Sequence, residues 1–151
     1  MSDHPLPPNP LKLIGRAHRN FARIADVELR DLGFATGQMP VLMGLKGGKA
    51  LSQADLARNA QVEQPSMAQL LNRMERDGLV ERVPDPADKR SRLISLTATA
   101  TKRMPQAKAV MEALKTQALV GFSEEEIAQL ASFVERINTN IDQMAVERSN
   151  A

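Results

Sequence analysis

Residues 52–97 read SQADLARNAQ VEQPSMAQLL NRMERDGLVE RVPDPADKRS RLISLT, and the change of period within them predicts the fold. Ser52 is a good helix-capping residue, so a short helix is expected to follow it and to end near Ala60. A second helix is expected to begin at residues 63–65 and to run to Asp77, where Gly78 favours the turn that ends it. Two short helices joined by a tight turn are therefore predicted.

After residue 78 the apolar pattern changes from a helical period to an alternating one. Residues 79–83 and 93–97 are typical of two short strands, each with three apolar side chains of Leu, Val or Ile among its five residues. The polar segment 84–92 between them predicts a hairpin with a long tip that carries Lys89, Arg90 and Arg92. Helix-turn-helix followed by a basic hairpin is the expected order of elements.

The segments on either side are predicted to be helical. Helices are expected from Asn9-Pro10 to about Arg30, from Thr36 to the two glycines at 47 and 48, and from residue 98 to about 120. Ser123 and Glu126 form a capping box that opens the last helix. Its apolar residues follow coiled-coil spacing and predict a seam that needs a partner: Ile127, Leu130, Val134, Ile137, Ile141 and Met144. That partner is either the first helix of the same chain or a second copy.

Charge is distributed unevenly along the 151 residues, although the net charge is only +2. Residues 46–103 hold eleven Lys and Arg against seven Asp and Glu, whereas residues 104–151 hold four against seven. A basic middle segment can attract a polyanion, while an acidic end is expected to face away from it. Cysteine is absent, which excludes disulfides and thiolate metal sites and agrees with a cytoplasmic location. Neither a signal sequence nor a membrane span is predicted.

The helix expected over residues 64–77 has two contrasting faces at 100° per residue. Met67, Leu70, Leu71 and Met74 form the narrow apolar face that packs inward. The outward side and its flank carry amides, a hydroxyl and guanidinium groups: Ser66, Gln69, Asn72, Arg73 and Arg76. Asn and Gln can pair with adenine, and Arg with guanine or phosphate, so this face favours contact with double-stranded DNA. A merely solvated helix surface is the alternative.

These segments resemble the MarR family of winged helix-turn-helix transcriptional regulators. The most specific part runs from Arg73 through Gly78 to Asp85 and on through Asp88-Lys89-Arg90 to Leu96-Thr97. The resemblance implies a mainly α fold of the α+β winged-helix type, with six helices, a two- or three-stranded wing and dimerisation through the N- and C-terminal helices. It divides the chain into a flexible tail at 1–8, a DNA-binding lobe at 33–97 and a helical dimerisation region at 9–32 and 98–147.

The family also implies roles for residues of the two DNA-contacting elements. Recognition-helix contacts fall on these positions: Gln64, Ser66, Gln69, Asn72, Arg73 and Arg76. Wing contacts fall on Lys89, Arg90 and Arg92, with Arg90 expected in the minor groove and Asp88 expected to shape the wing. The pair Gln64-Pro65 departs from the small polar residues that are usual at the start of this helix, and the cysteine of the oxidant-sensing members is missing.

The resemblance implies a homodimeric, sequence-specific regulator, a repressor acting on a pseudo-palindromic operator and relieved by a small-molecule effector. An effector pocket is expected where the dimer helices meet the DNA-binding lobe, with His18, Met39, Met43 and Met104 as candidate lining residues. Helical methionines and a lone histidine are more commonly core residues, which is the alternative.

Two other classes of function were compared with this one. An enzyme is not expected, because the chain has two histidines, no cysteine and no glycine-rich phosphate loop, and it suggests no cofactor or metal site. The acidic cluster at 124–126 is explained by helix capping. A winged-helix scaffold that binds proteins and not specific DNA is the main alternative to a regulator.

Overall fold

A computed structural model describes residues 6–151, which form six α-helices and one two-stranded sheet. Most of the predicted tail, including His4, lies outside the described residues. The helices are α1 (Pro10–Arg30), α2 (Met39–Leu45), α3 (Gln53–Ala60), α4 (Gln64–Arg76), α5 (Ala98–Ala118) and α6 (Glu124–Ser149). Strands β1 (Val80–Asp85) and β2 (Asp88–Leu96) lie between α4 and α5 in the chain. The predicted fold class is confirmed.

Side chains cap the helices where the sequence predicts them to begin. The Asn9 side chain accepts a hydrogen bond from the Leu11 amide at 3.0 Å, and Ser52 accepts one from the amide of Asp55 at 3.1 Å. At α6 the Ser123 hydroxyl accepts from the Glu126 amide, while the Glu126 carboxylate accepts from the Ser123 amide. These bonds satisfy amides that the first helical turn leaves without partners.

The second helix starts later than its sequence pattern predicts. Thr36–Gln38 form a 3-10 turn, and the α-helix itself begins at Met39, with Pro40 in its first turn. The Gln38 side chain holds this turn, because its Oε1 accepts a hydrogen bond from the Ala35 amide at 2.9 Å. A second 3-10 turn at Lys46–Gly48 ends the segment, at the glycines that were predicted to stop it.

The hairpin differs from the prediction in its length. Both strands extend into the segment predicted as a long tip, and only Pro86 and Ala87 form the turn. The prediction of a long loop was wrong because exposed strands pair through their backbones and need no alternating apolar side chains. The segment predicted as a tip does contain a bulge. Pro84 pairs with Arg92 and Asp85 with Asp88, which leaves residues 89–91 as extra residues on β2.

Residues of α1–α5 and both strands share one apolar core. Its fully buried side chains include Leu29, Leu42, Leu71, Met74 and Ile94. Leu51 adds a single bridge beside β2, because its backbone exchanges two hydrogen bonds with Ile94, at 3.0 and 2.7 Å. The wing therefore has two strands and one residue of a third, within the predicted range.

The described chain divides into two compact units at a boundary inside α5. The residues up to Glu112 form the first unit, which contains the winged helix-turn-helix elements and α1. Ala113–Ala151 form the second, which consists of the end of α5, a turn with Gly121 at φ 87°, and α6. Among residues 6–151, no helix is both long and apolar enough to cross a membrane.

Candidate nucleic-acid interface

Helix α4 presents the two faces that its sequence predicts. Met67, Leu71 and Met74 are buried in the core of the first unit. The side chains on the outward side are exposed, and four of them line one shallow surface groove: Gln69, Asn72, Arg73 and Arg76. The groove has a volume of about 290 Å³ and contains no carboxylate. It can offer hydrogen bonds and positive charge to an anionic or polar surface.

The start of α4 is also exposed and polar. Gln64 and Ser66 lie in the first turn, and the Gln64 Oε1 accepts a hydrogen bond from Nε2 of Gln53 on α3 at 3.3 Å. Glu63 occupies the N-cap position without making a side-chain capping bond. The predicted residues of the recognition helix are therefore all on the surface, and α3 contacts the first of them.

Strand β1 contributes a residue that the sequence analysis did not identify. Arg82 donates a hydrogen bond from Nη2 to Oδ1 of Asn72 at 3.0 Å, and its Nε forms an ion pair with Oε2 of Glu75 at 3.2 Å. A signal for it was present: Arg82 shares a strand face with buried Val80, and a charged side chain on such a face needs a polar partner. The wing is thereby joined to α4 at the middle of its exposed side.

The wing turn is shaped by two carboxylates. Asp85 accepts a hydrogen bond from the Ala87 amide at 2.9 Å, and Asp88 accepts from the Arg90 amide at 2.9 Å and from the Ser91 hydroxyl at 3.1 Å. Neither aspartate forms an ion pair with an arginine of the described chain. Their oxygens instead bind the turn itself.

The three basic residues of the wing are exposed. Lys89 and Arg90 lie in the bulge of β2, and Arg92 lies opposite Pro84. Pro84 is two residues from Arg82, which is about 7 Å along a strand. The basic segment therefore continues directly from the strand position that contacts α4.

The base of the wing is fixed by one threonine. The Thr97 hydroxyl donates a hydrogen bond to the Gly78 carbonyl at 2.6 Å and accepts one from the Ala100 amide at 3.1 Å. Gly78 has a φ of 76°, which the turn between α4 and β1 requires. One side chain thus joins the end of α4, the end of β2 and the first turn of α5.

Three of the four candidate pocket residues lie together. Met39, Met43 and Met104 line one apolar groove of about 220 Å³, with Met111 beside them. Met43 and Met104 also line a second groove of about 370 Å³, together with Leu96 and two lysines, Lys46 and Lys108. His18 is exposed on α1 and lines neither groove. The structure therefore brings the methionines together and leaves His18 apart from them.

Within residues 6–151, no group of three His, Asp or Glu side chains is arranged to hold a metal ion. The pKa of Asp55 is held below its usual value, first by hydrogen bonding with Ser52 and then by the hydrogen bond that its Oδ1 accepts from Nη1 of Arg58 at 2.9 Å. This group lies on α3, where it stabilises the helix start.

Comparison with known proteins gives a consistent result. A model of the MarR family matches residues 31–91. The chain is 26% identical over 132 residues to an uncharacterised HTH-type transcriptional regulator, YybA, of Bacillus subtilis, and the match covers 87% of this chain and 88% of that one.

Solved structures have the same fold. The transcriptional regulator SlyA is similar with a TM-score of 0.81 and 26% identity, over 89% of this chain and 95% of that one. A MarR variant from E. coli, solved in complex with operator DNA, gives a TM-score of 0.76 at 23% identity, over 83% of this chain and 91% of that one.

Proposed function

We propose that this chain is a transcriptional regulator of the MarR family, and that it is a homodimer that binds a pseudo-palindromic DNA site and represses transcription until a small molecule releases it. The observation that carries the proposal is the exposed polar face of α4 beside a basic wing, with Arg82 joining the two. This arrangement would allow α4 and the wing to contact one duplex together.

Helix α4 would enter the major groove with its exposed face toward the bases. Gln64, Ser66 and Gln69 supply neutral hydrogen-bonding groups, while Arg73 and Arg76 supply charge for guanine or phosphate. Carboxylates on this face would be repelled by DNA. Glu75, which also lies on α4, forms an ion pair with Arg82.

The wing would reach the neighbouring minor groove. Lys89, Arg90 and Arg92 are exposed, and the carboxylates of Asp85 and Asp88 accept hydrogen bonds from the turn. A narrow minor groove concentrates negative potential and so favours an inserted arginine. Arg90 is the residue we assign to that position, and Asp88 shapes the turn that presents it.

Dimerisation would cover the apolar seam of α6. In the second unit the solvent-exposed fractions of Leu130, Ile141 and Met144 are 46%, 44% and 47%, and no residue of α6 is buried. The N-terminal half of α1, in the first unit, also exposes Leu11, Leu13 and Ile14. Apolar surface of this extent is unusual on a monomer and favours an intersubunit contact.

A two-fold dimer would determine the form of the DNA site. Each subunit would present one α4, and the two copies would fit successive major grooves about 34–36 Å apart, which is one turn of the duplex. The bound sequence would then be a pseudo-palindrome, because the same helix reads both half-sites.

Release would follow from binding of a ligand in the methionine-lined grooves. The larger groove combines apolar side chains with Lys46 and Lys108, and about 370 Å³ accommodates a small organic molecule. An amphipathic anion fits that chemistry. A ligand that binds better to a form of the dimer with the wrong spacing of its α4 helices would shift the population away from DNA.

The test is titration of the purified protein onto duplex DNA at several salt concentrations. We expect affinity to fall steeply with salt, because each phosphate contact releases a counterion. Arg90→Ala is expected to weaken binding about 10-fold and to reduce the salt slope by about one. Arg148→Ala, at the end of α6, removes the same charge outside the proposed surface and is the matched control.

Binding that is undetectable or independent of salt, from folded protein, would contradict the proposal and favour the protein-binding scaffold. Selection of bound duplexes from a random pool then tests the dimer. A single unrepeated half-site in the selected sequences would exclude a two-fold complex.

A further inference from the structure

Asn72 differs from the other residues that line the α4 groove in having a side-chain hydrogen-bond partner among the described residues. Its Oδ1 accepts a hydrogen bond from Nη2 of Arg82 at 3.0 Å. Arg82 is only partly exposed, at 32% of its side-chain surface, and it is held from its other side by Glu75. The three side chains form a short chain of contacts from β1 to α4.

The identity of the atom that faces Arg82 follows from chemistry. A guanidinium group has five N–H donors and no acceptor, whereas an asparagine amide has one acceptor oxygen and one NH₂ group with two donors. Only the oxygen of Asn72 can bind Arg82, since the reverse orientation would place donor against donor. The Nδ2 group of Asn72 is therefore directed away from Arg82, on a residue that lines the exposed groove of α4.

This orientation limits what Asn72 can recognise. A bidentate pair with adenine needs the amide oxygen to accept from N6 and the amide nitrogen to donate to N7, both from one outward edge. With the oxygen turned toward β1, the N–H donors face outward, and Arg82 occupies one of the two lone pairs of the oxygen. The adenine pairing that residue type alone suggests for Asn72 would require the same oxygen to accept a second hydrogen bond, so contact with an acceptor is favoured over it.

We propose that Arg82 is a positioning residue that makes Asn72 act as a hydrogen-bond donor toward DNA, where it binds an acceptor, either guanine N7 and O6 or a phosphate oxygen. The inference rests on the proposed DNA binding. Guanine fits best among the bases, because it alone offers two adjacent acceptors in the major groove. Glu75 fixes the guanidinium, so the wing strand determines the chemistry that the helix presents.

Gln69 provides an internal comparison. It lies one turn before Asn72 and lines the same groove, but no hydrogen bond joins its amide to another side chain of the described residues. Its amide can turn either way. Arg82 is thus expected to control the preference at one base position per half-site and to leave the Gln69 position unchanged.

The experiment is duplex selection from a random pool with four proteins: the parent chain, Asn72→Ala, Arg82→Lys, and Arg82→Met in a Glu75→Gln background. The Glu75→Gln background is needed because Arg82→Met alone would leave the Glu75 carboxylate without its partner. Glu75→Gln alone is the control that separates the effect of this background change from the effect of Arg82→Met. Thermal unfolding verifies that every variant is folded. Lysine also carries donors only, so Arg82→Lys is expected to keep the parent preference.

If guanine is the acceptor, the parent chain prefers it over adenine at one position by about 5- to 150-fold, the range of a good bidentate contact. Asn72→Ala abolishes that preference. Arg82→Met lets the amide rotate, so adenine gains at the same position. A phosphate acceptor gives instead an equal loss on all sequences with Asn72→Ala, reproduced by Arg82→Met and absent in Arg82→Lys.

Three results would overturn the inference: adenine enriched by the parent chain at the Asn72-dependent position, a profile and affinity that Arg82→Met leaves unchanged, or no effect of Asn72→Ala. Each of these three results counts against the inference when the parent protein still binds DNA with a steep salt dependence. Failure of the proposed function is different, since folded parent protein would then select no duplex.

Discussion

The winged lobe and α6 are both rich in apolar residues, but they use them differently. In the lobe, Leu42, Leu71 and Met74 are completely buried among residues of the same chain. In α6 the apolar residues recur at helical spacing, yet no residue of the helix is buried. The lobe therefore has a core of its own, whereas the apolar side chains of α6 would become a core only against the partner of the proposed dimer.

The difference shows which interactions depend on one chain and which depend on two. Burial of a leucine side chain contributes about 1.5–3 kcal/mol, so the lobe gains this stability as soon as it folds. In the proposed dimer the seam of α6 would gain it on association, and the stability of that region is expected to depend on protein concentration. Three changes test this contrast.

The largest effect is expected from the core of the lobe. Leu71→Ala removes a fully buried side chain and leaves a cavity, which costs about 2–5 kcal/mol of unfolding free energy. Urea denaturation measures the loss. Val62→Ala, at a side chain that is 43% exposed, is the control and should change stability by less than about 0.5 kcal/mol. A loss below about 1 kcal/mol for Leu71→Ala would show that this core is not the source of stability.

A comparable but separable effect is expected from α6. Ile141→Asp places a charge in the seam, and the dissociation constant of the proposed dimer should rise about 100-fold, since the dimer contact would bury an unpaired charge. Sedimentation measures the association, and circular dichroism verifies that the lobe stays folded. Thr139→Asp adds the same charge on the opposite side of the helix and serves as control. An unchanged mass for Ile141→Asp would place the dimer contact elsewhere.

The smallest effect concerns α1, which has properties of both regions. Ala25 and Leu29 are buried, while the N-terminal half of the helix is exposed. Asp26 lies in the C-terminal half of α1, and its Oδ1 accepts hydrogen bonds from the Thr36 amide at 2.7 Å and from the Thr36 hydroxyl at 2.8 Å. These bonds, first the one from the amide, lower the pKa of Asp26, with a smaller contribution from Arg30. Asp26 thus joins α1 to the start of the lobe.

Asp26→Asn is expected to cost about 1 kcal/mol of unfolding free energy at pH 7, where the carboxylate is charged. Because the folded pKa is lowered, this contribution is full above the unfolded value of about 3.9 and is lost as the pH falls through the folded pKa. Denaturation at pH 7 and pH 3 measures the change. Asp31→Asn removes the same charge from an exposed residue directly after α1, and it should change the unfolding free energy at pH 7 by less than about 0.5 kcal/mol. Equal costs for Asp26→Asn at both pH values would contradict the assignment.

Local signals predicted most of the elements and much of the candidate site. Capping residues Asn9, Ser52 and Ser123 mark helix starts because their side chains bind amides only two or three residues away. The period of the apolar residues in α4 separates its buried face from its exposed one. The wing strands extend further than their side-chain pattern predicts, because backbone hydrogen bonds pair them beyond the apolar residues. The predicted tip was therefore too long.

The sequence by itself determined that α4 would present amides and guanidinium groups outward, because helical geometry fixes which side chains share a face. Only the tertiary structure decided that Arg82 would meet Asn72, ten residues away, and that His18 would lie apart from the methionines. The physical reason is range: capping and periodicity act within one or two turns of chain, whereas the partner of a half-buried charge is chosen by how separate elements pack.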